Sequence, residues 1–434
     1  MGKGQKLYKY SKKIIPGGNM LLSKRPEMFL PENWPAYFSK SKGCCVWDLD
    51  NKKYIDMSFM GIGTNILGYG HPEVDEAVMK TVKNGNMSTL NCSEEVHLIE
   101  KLIDMHPWSD MGRIARTGGE ANAVAIRIAR AASQKDKVAV CGYHGWHDWY
   151  LSANLGSNKN LDGHLLPGLD PNGVPRNLKN TVFPFQYNDF EGLENLVLKE
   201  DIGVIKMEVA RNVGPENNFL QNVRKLCSEK GIVLIFDECT SGFRETFGGL
   251  HKKYNVDPDI VIFGKALGNG YAITSIIGRE EVMESAQTSF ISSTFWSERI
   301  GPTAALKTLE VMEKLKSWEI ITNTGLMVRD RWIELSKKYD LNIDIFGLPS
   351  LSGFSFKSNH SLEYKTLISQ EMLKLGYLAG TSLYTCIDHS NEVIDNYINA
   401  LESIFSIISE CEKGKDIESM LDGPVCHDGF KRLN

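Results

Sequence analysis

The sequence predicts an α/β fold, a mainly parallel sheet flanked by helices with a smaller α+β domain after it, and three observations predict it. Between about residue 72 and 315, helical patterns alternate with short apolar segments, as parallel strands joined through helical crossovers require. Four of those segments, Val138–Cys141, Val204–Met207, Val233–Phe236 and Ile260–Phe263, are mostly apolar and often β-branched, the pattern of strands buried on both faces. From about residue 316 the chain changes character: amphipathic patterns at 362–376 and 391–413 accompany the strand-like run Gly353-Phe354-Ser355-Phe356.

At 434 residues the chain is long enough for two or three domains with full-sized cores. Hydrophobic residues at 42%, charged residues at 24% and a formal charge of -5 lie close to an average globular protein, so neither a nucleic-acid partner nor an anionic membrane is expected. No stretch approaches the roughly 20 apolar residues of a membrane span, and Met1 to Lys13 has no signal-peptide core, which predicts a cytoplasmic protein. The nine cysteines are scattered, odd in number and without a Cys-x-x-Cys, as reduced thiols would be.

Residues 1 to about 40 are expected to be an irregular arm, broken by Pro16-Gly17-Gly18, Pro26, Pro31 and Pro35. Cys45 to Met57 alternates around Asp50-Asn51, which predicts a β-hairpin. Gly61-Ile62-Gly63 is followed by neither a helix nor a third glycine at the right offset, so it is a poor dinucleotide signal. The clearest helix begins at Glu120 and runs to Ala132, with Ala121, Val124, Ala125, Ile128 and Ala132 on its apolar face.

Four places along this scaffold carry residues suited to chemistry. Ile260–Phe263 delivers Lys265 into the glycine-rich turn Gly264 to Gly270; a desolvated amine there is a nucleophile, whereas a lysine capping the strand with its head in water is inert. Thr117-Gly118-Gly119 opens the clearest helix, and its free N–H groups suit a phosphate; an ordinary threonine N-cap fits the same residues. After Val138–Cys141 come Gly142-Tyr143-His144-Gly145-Trp146-His147-Asp148, where an aromatic ring at a strand end can stack on a planar ligand; His144, His147 and Asp148 are too few for a convincing metal site, and no metal is expected. Val233–Phe236 ends in Asp237-Glu238, and a buried carboxylate needs a cationic or N–H partner, either a ligand's ring nitrogen or Arg244. Glu208 repeats that arrangement at the end of Val204–Met207. A phosphate cradle, a stacking aromatic, a strand-end aspartate and a later strand-end lysine are together the four contacts that pyridoxal 5'-phosphate (PLP) requires.

With these residues in place, the sequence resembles the class III aminotransferases of fold type I, and within them the glutamate-1-semialdehyde 2,1-aminomutase group. The likeness runs from Ile15-Pro16-Gly17-Gly18 to about residue 410 through Trp47-Asp48-Leu49-Asp50, Gly70-His71-Pro72, Tyr143-His144-Gly145, Phe236-Asp237-Glu238, Ser241-Gly242-Phe243-Arg244, Phe263-Gly264-Lys265 and Gly268-Asn269-Gly270. The resemblance implies a mainly parallel seven-stranded sheet in a large PLP domain (61–315), a small C-terminal α+β domain (316–434), and an arm and hairpin (1–60) packing with the latter. It implies Lys265 as the Schiff-base lysine, Asp237 on the pyridine nitrogen, Tyr143 on the ring with His144 beside it, Thr117, Gly118 and Gly119 on the phosphate, and Glu208 near the ring hydroxyl. Thr294 matches a threonine that reaches the phosphate of the neighbouring subunit, which implies a homodimer.

The departures from the family fall around the substrate. The usual Ser-Gly-Thr cradle is Thr117-Gly118-Gly119, the usual Glu-Pro is Glu208-Val209, and Phe295-Trp296-Ser297-Glu298-Arg299 replaces small residues. Arg25, Trp146, Glu298 and Arg299 are candidates for substrate contact, and residues 154–179 match the family's mobile loop. The leading expectation is a PLP-dependent aminotransferase acting between an amino-acid donor and an aldehyde or ketone acceptor, with sugar and amino-aldehyde acceptors both within reach of the fold. The alternatives are an aminomutase moving an amine within one molecule, a nicotinamide-dependent dehydrogenase, whose fingerprint is missing, and a cofactor-free protein keeping the fold.

Overall fold

A computed structural model describes residues 1–157, 159–164 and 167–430. The chain divides into two compact units, one formed by Met1–His71 with Glu319–Asn434 and the other by Pro72–Trp318.

The second unit is built on a seven-stranded sheet. In chain order its strands are β4 (Met111–Ala115), β5 (Lys137–Cys141), β6 (Val182–Pro184), β7 (Ile202–Met207), β8 (Val233–Glu238), β9 (Ile260–Phe263) and β10 (Thr274–Gly278). Their spatial order is β4-β10-β9-β8-β7-β5-β6. β6, β5, β7, β8 and β9 are mutually parallel, and β10 runs antiparallel to both β9 and β4. Every residue of β7, β8 and β9 is buried, which explains runs that lack polar alternation. Val140, Val204, Val233, Ile235, Ile260 and Ile262 share one apolar cluster with Ala121, Val124, Ala125 and Ile128 of helix Gly118–Ser133. The predicted apolar helix face is therefore the one laid on the sheet. Strands β4, β6 and β10 carry no comparable sequence signal: β4 has an arginine at its centre, β6 is three residues ending in proline, and β10 opens Thr-Ser.

In the first unit, residues before and after the larger sheet share a sheet. Here β1 (Phe38–Lys42), β2 (Cys45–Asp48) and β3 (Lys53–Met57) are joined by β13 (Tyr377–Ala379), which runs parallel to β3. The β2–β3 pair is the predicted hairpin, with Asn51 at φ 62° in its turn. A second sheet takes β11 (Ile343–Phe346), β12 (Leu351–Phe356) and β14 (Ser382–Tyr384). Helices Ser361–Lys374 and Asn391–Glu412 cover an aromatic core of Trp332, Phe354, Phe356, Tyr364, Tyr397 and Phe405.

The N-terminal expectation needs correction. Residues 1 to 40 are not irregular throughout, because Lys3–Ile14 is a three-turn helix. Its one helix-incompatible signal, Pro16, lies beyond its end, and the helix is held by burial of one stripe: Tyr8 donates a 2.7 Å hydrogen bond to Glu27 and Ser11 donates one of 2.7 Å to the Gly18 carbonyl. Gly4 makes that docking possible, since a Cβ there would stand 2.0 Å from the Pro35 carbonyl oxygen.

Candidate active site

Because β5, β7, β8 and β9 are parallel, their C-terminal ends open on one edge of the sheet, the edge at which such sheets bind ligands. Tyr143, Glu208, Asp237 and Lys265 follow or end these strands. The register pairs Asp237 with Ile262 and Glu238 with Phe263, bringing the β8 terminus beside Gly264-Lys265. Two glycines permit the close approach. A Cβ on Gly142, whose φ is +112°, would lie 2.6 Å from the Glu208 carboxylate, and one on Gly264 would lie 3.2 Å from Cys239 Sγ.

Lys265 sits half-buried with φ +41°, a left-handed conformation that a non-glycine residue adopts at a cost and that concentrates at functional sites. Its Nζ donates a 2.9 Å hydrogen bond to Thr240 Oγ1. Burial, then the guanidinium groups of Arg211 and Arg244, push the amine down from its ordinary value to about 8. The neutral, nucleophilic form is therefore far more populated at physiological pH than that of an ordinary solvated lysine. The water-solvated strand cap considered above does not describe this lysine.

Asp237 is buried, and its partners are His144 and Lys206 rather than Arg244. His144 Nδ1 donates to Asp237 Oδ2 at 2.8 Å, Lys206 Nζ lies 3.4 Å from the same oxygen, and the Cys239 N–H donates to Oδ1 at 3.2 Å. Arg244, fully buried, instead donates Nε to the Thr240 carbonyl at 2.5 Å. Burial pushes the Asp237 carboxyl up, and Lys206 and His144 more than reverse that, holding it well below the ordinary carboxylate range. Burial, with Lys206 nearby, lowers His144, so its ring is neutral with the hydrogen on Nδ1, while its buried Nε2 has no hydrogen-bond partner among the described residues.

Thr117 is an N-cap with a full capping box: its side chain accepts from the Glu120 N–H, and Glu120 Oε2 accepts from the N–H groups of Thr117 (2.9 Å) and Arg116 (3.1 Å). The ordinary-cap reading thus holds for the Thr117 side chain. It leaves the N–H groups of Gly118 and Gly119, which as first-turn donors have no partner within the helix. Thr274 Oγ1 donates to the Thr117 carbonyl at 3.4 Å, and a Cβ on Gly118 would stand 3.5 Å from Cys239 Sγ. The helix terminus therefore lies against the same strand ends as Asp237 and Lys265.

Glu208 is ion-paired with Arg211 at 2.5 Å and accepts the Tyr143 N–H at 3.2 Å. The Tyr143 ring packs edge-on to Tyr150, and His147 lies 3.0 Å from the place of a Cβ on Gly119. Trp146 and Thr294 are exposed. Glu298 pairs with Arg116 at 2.9 Å and accepts the first N–H groups of helix Ile300–Leu315; Arg299 is held by Glu94 at 2.5 Å. Those two side chains thus have partners within the unit. Arg25 belongs to the other unit, where its guanidinium lies against Gly17 and 5.6 Å from the Phe430 ring centre. Of the loop 154–179, residues Asn158, Leu165 and Leu166 lie outside the described residues.

Four participants escaped sequence reasoning: Lys206, Arg211, Cys239 and Thr240. Lys206 had a usable signal, a charge inside a run assigned to a doubly buried strand, where it must find a counter-ion. Thr240 and Arg211 had none, because loop residues are brought to a lysine only by the fold.

The donor set fits PLP. Asp237 Oδ2 accepts from His144 and faces the Lys206 ammonium, while Oδ1 accepts the Cys239 N–H, which among the described residues leaves acceptor capacity on Oδ1 for a ring N–H. Helix N–H groups suit the phosphate, and a lysine amine held near neutrality suits the aldehyde. A sequence model of the class-III aminotransferases matches residues 31–410. The chain is 31% identical over 419 residues to a 3-aminobutyryl-CoA aminotransferase of Cloacimonas acidaminovorans, covering 92% of this chain and 96% of that protein. It is 29% identical over 427 residues to a glutamate-1-semialdehyde 2,1-aminomutase of Methanosphaera stadtmanae, covering 93% and 98%. Among solved structures, the PLP-containing FumI protein of Sphingopyxis sp. MTA144 superposes with a TM-score of 0.85 at 22% identity, covering 97% of this chain and 100% of that one, a likeness of fold. The chain belongs to the class-III aminotransferases, has their fold type I architecture, and carries out PLP-dependent amino transfer between a small-molecule amino donor and a carbonyl acceptor.

Proposed function

We propose that this transfer is performed at the β5–β9 strand ends by Lys265 and Asp237, with the N–H groups of Gly118 and Gly119 holding the phosphate at the helix terminus that Thr117 caps, and Tyr143, His144 and Glu208 flanking the ring. The observation that carries the reading is the pairing of a half-buried amine near neutrality with an ionised buried carboxylate on the adjacent strand. When bound, PLP supplies an electron sink that stabilises negative charge on the substrate carbon bearing the amine. Lys265 supplies the amine that holds the aldehyde and, once released, takes and returns a proton at Nζ, with Thr240 Oγ1 fixing its position. Asp237 holds the ring-nitrogen proton through Oδ1, and His144 fixes the carboxylate by its Nδ1 hydrogen bond. Tyr143 excludes water from one ring face.

The acceptor side is open toward carbonyls other than simple 2-oxo acids, a reading supported by relatives whose names place the amine on carbon 3 or move it between carbons 2 and 1. Intramolecular amine transfer is the second reading, supported by the aminomutase relatives. Supplying one amino-aldehyde without a second substrate separates the two: turnover favours the aminomutase, and a requirement for glutamate or alanine as donor favours the aminotransferase.

We also propose a homodimer in which Thr294 reaches the partner's phosphate site. Exposure of Thr294 together with Phe290, Phe295, Trp146 and Leu90 supports it. Sedimentation of the holoenzyme at a monomer mass sinks that proposal. A cytoplasmic location is the companion proposal: all nine cysteines are free, and no helix among the described residues is long and apolar enough to cross a membrane. Cell fractionation tests it.

The experiment for the site is the near-ultraviolet and visible spectrum of wild type and Lys265→Ala, before and after glutamate. Borohydride should leave PLP covalently attached to the peptide containing Lys265 in the wild type alone. A colourless wild type that takes up no PLP overturns the reading.

A further inference from the structure

We propose that Lys206 is a positioning residue, a buried counter-charge behind Asp237 that weakens the hold of that carboxylate on the ring-nitrogen proton of PLP. The inference rests on the site reading above and deepens it.

Lys206 is fully buried in β7, a strand paired on both sides within the sheet. The parallel register sets Lys206 opposite Ile235, so it shares a face with Val204, Val233, Ile235 and Asp237. Elsewhere that face is packed with aliphatic side chains against helix Gly118–Ser133. A methionine or leucine would fill the position without the desolvation that an ammonium suffers there. The side chain instead ends 3.4 Å from Asp237 Oδ2; among the described residues Asp237 is its one ion-pair partner, and Nζ makes no hydrogen bond. The other titratable groups around it are His144 on the same Asp237 oxygen, the half-buried Cys239 thiol, and Glu208, which is ion-paired with Arg211. Burial pushes the Lys206 amine down from its ordinary value, and Asp237 opposes the shift.

With Oδ2 taken by His144 and facing Lys206, and Oδ1 accepting the Cys239 N–H, the remaining acceptor capacity of Asp237 lies on Oδ1, toward the open strand edge. An ammonium at Lys206, ion-paired with Asp237 Oδ2 at 3.4 Å, lowers the negative potential there, and so lowers the affinity of the ring nitrogen for its proton. A ring nitrogen with a shared proton is a weaker electron sink than a full pyridinium.

The test uses holoenzyme reconstituted with PLP carrying 15N at the ring nitrogen, in wild type, Lys206→Met and Lys206→Gln. Methionine keeps the volume without charge, and glutamine keeps a donor without charge, so a change common to both reports the charge. The 15N shift of the wild type is expected between neutral pyridine and pyridinium, and that of both variants should move toward pyridinium. In parallel, the preference of each protein for PLP over an analogue with carbon in place of the ring nitrogen should rise in the variants, on the order of tenfold for each pH unit by which the ring-nitrogen site becomes more basic. Variants that keep PLP with the wild-type shift and preference overturn the inference and make Lys206 a core filler. A wild-type shift already at the pyridinium value overturns it even if neither variant folds. Failure of the wild type to take up PLP overturns the site reading instead.

Discussion

Asp237 and Glu238 are neighbours on β8, both buried and ionised, yet they point to opposite faces and do different work. Glu238 is saturated. Its Oε1 accepts from the His251 N–H at 3.1 Å and from His251 Nδ1 at 2.6 Å; its Oε2 accepts from Ser241 Oγ at 3.0 Å and the Leu250 N–H at 2.5 Å. His251 is fixed in turn by Trp108 Nε1, which donates to its Nε2 at 3.1 Å. Asp237 accepts two hydrogen bonds among the described residues, keeps acceptor capacity on Oδ1 and has a buried lysine behind it. A carboxylate whose lone pairs are all used by its own chain clamps a loop; one left short, at an open strand edge, is available to a ligand.

The strongest break in this comparison lies one strand away. Lys265→Ala should lower turnover by about 10⁴-fold or more while leaving the melting temperature of the apo-protein nearly unchanged, measured by steady-state assay and calorimetry. Asp237→Ala should cost about 10²- to 10³-fold in kcat/KM, with weaker PLP retention on dialysis. Glu238→Ala should do the reverse, destabilising the fold by about 3–5 kcal/mol in denaturant unfolding, because it strands His251 and two backbone N–H groups in the interior. An Asp237 variant that unfolds, or a Glu238 variant that folds normally but is inactive, would erase the distinction.

The pH dependence sharpens it. Partners hold both carboxyls below their ordinary range against burial, which alone would raise them. The unfolded chain therefore binds more protons, and the stability they contribute is complete above the ordinary carboxylate pKa of about 4 and is lost as pH falls below it. Glu238→Ala should flatten that acid limb of the unfolding curve. Lys265 has the opposite linkage to function: its amine is protonated below about 8, so the rate of PLP uptake by apo-enzyme should rise with pH through that value and then level. The smallest effect belongs to Thr117→Ala, which removes the helix cap for about 1 kcal/mol and spares the glycine N–H groups, so PLP retention should fall only slightly.

Much of the architecture was legible because it follows from local pattern. β9 has the predicted limits, and β5, β7 and β8 extend their predicted runs by two residues or fewer. Helix Gly118–Ser133 starts two residues before its predicted start because its glycines are the first turn. Helix Lys3–Ile14 was lost to the proline-rich segment behind it, and β4, β6 and β10 to short runs interrupted by an arginine, a proline or an opening Thr-Ser, whose strand character comes from their neighbours. In the proposed site, Lys265, Asp237 and the glycines of the helix terminus are legible because they stand at strand and helix ends.

Sequence alone determined that a lysine, an aspartate and a helix terminus lie at element ends in an α/β chain, because hydrophobic periodicity fixes the elements and the elements fix where polar residues emerge. Only tertiary structure decided that Asp237 pairs with His144 and Lys206 rather than Arg244, and that Thr240 and Arg211 attend Lys265. Those partnerships depend on sheet order and register, which bring together residues from 25 to 93 positions apart and leave no periodic trace in the chain.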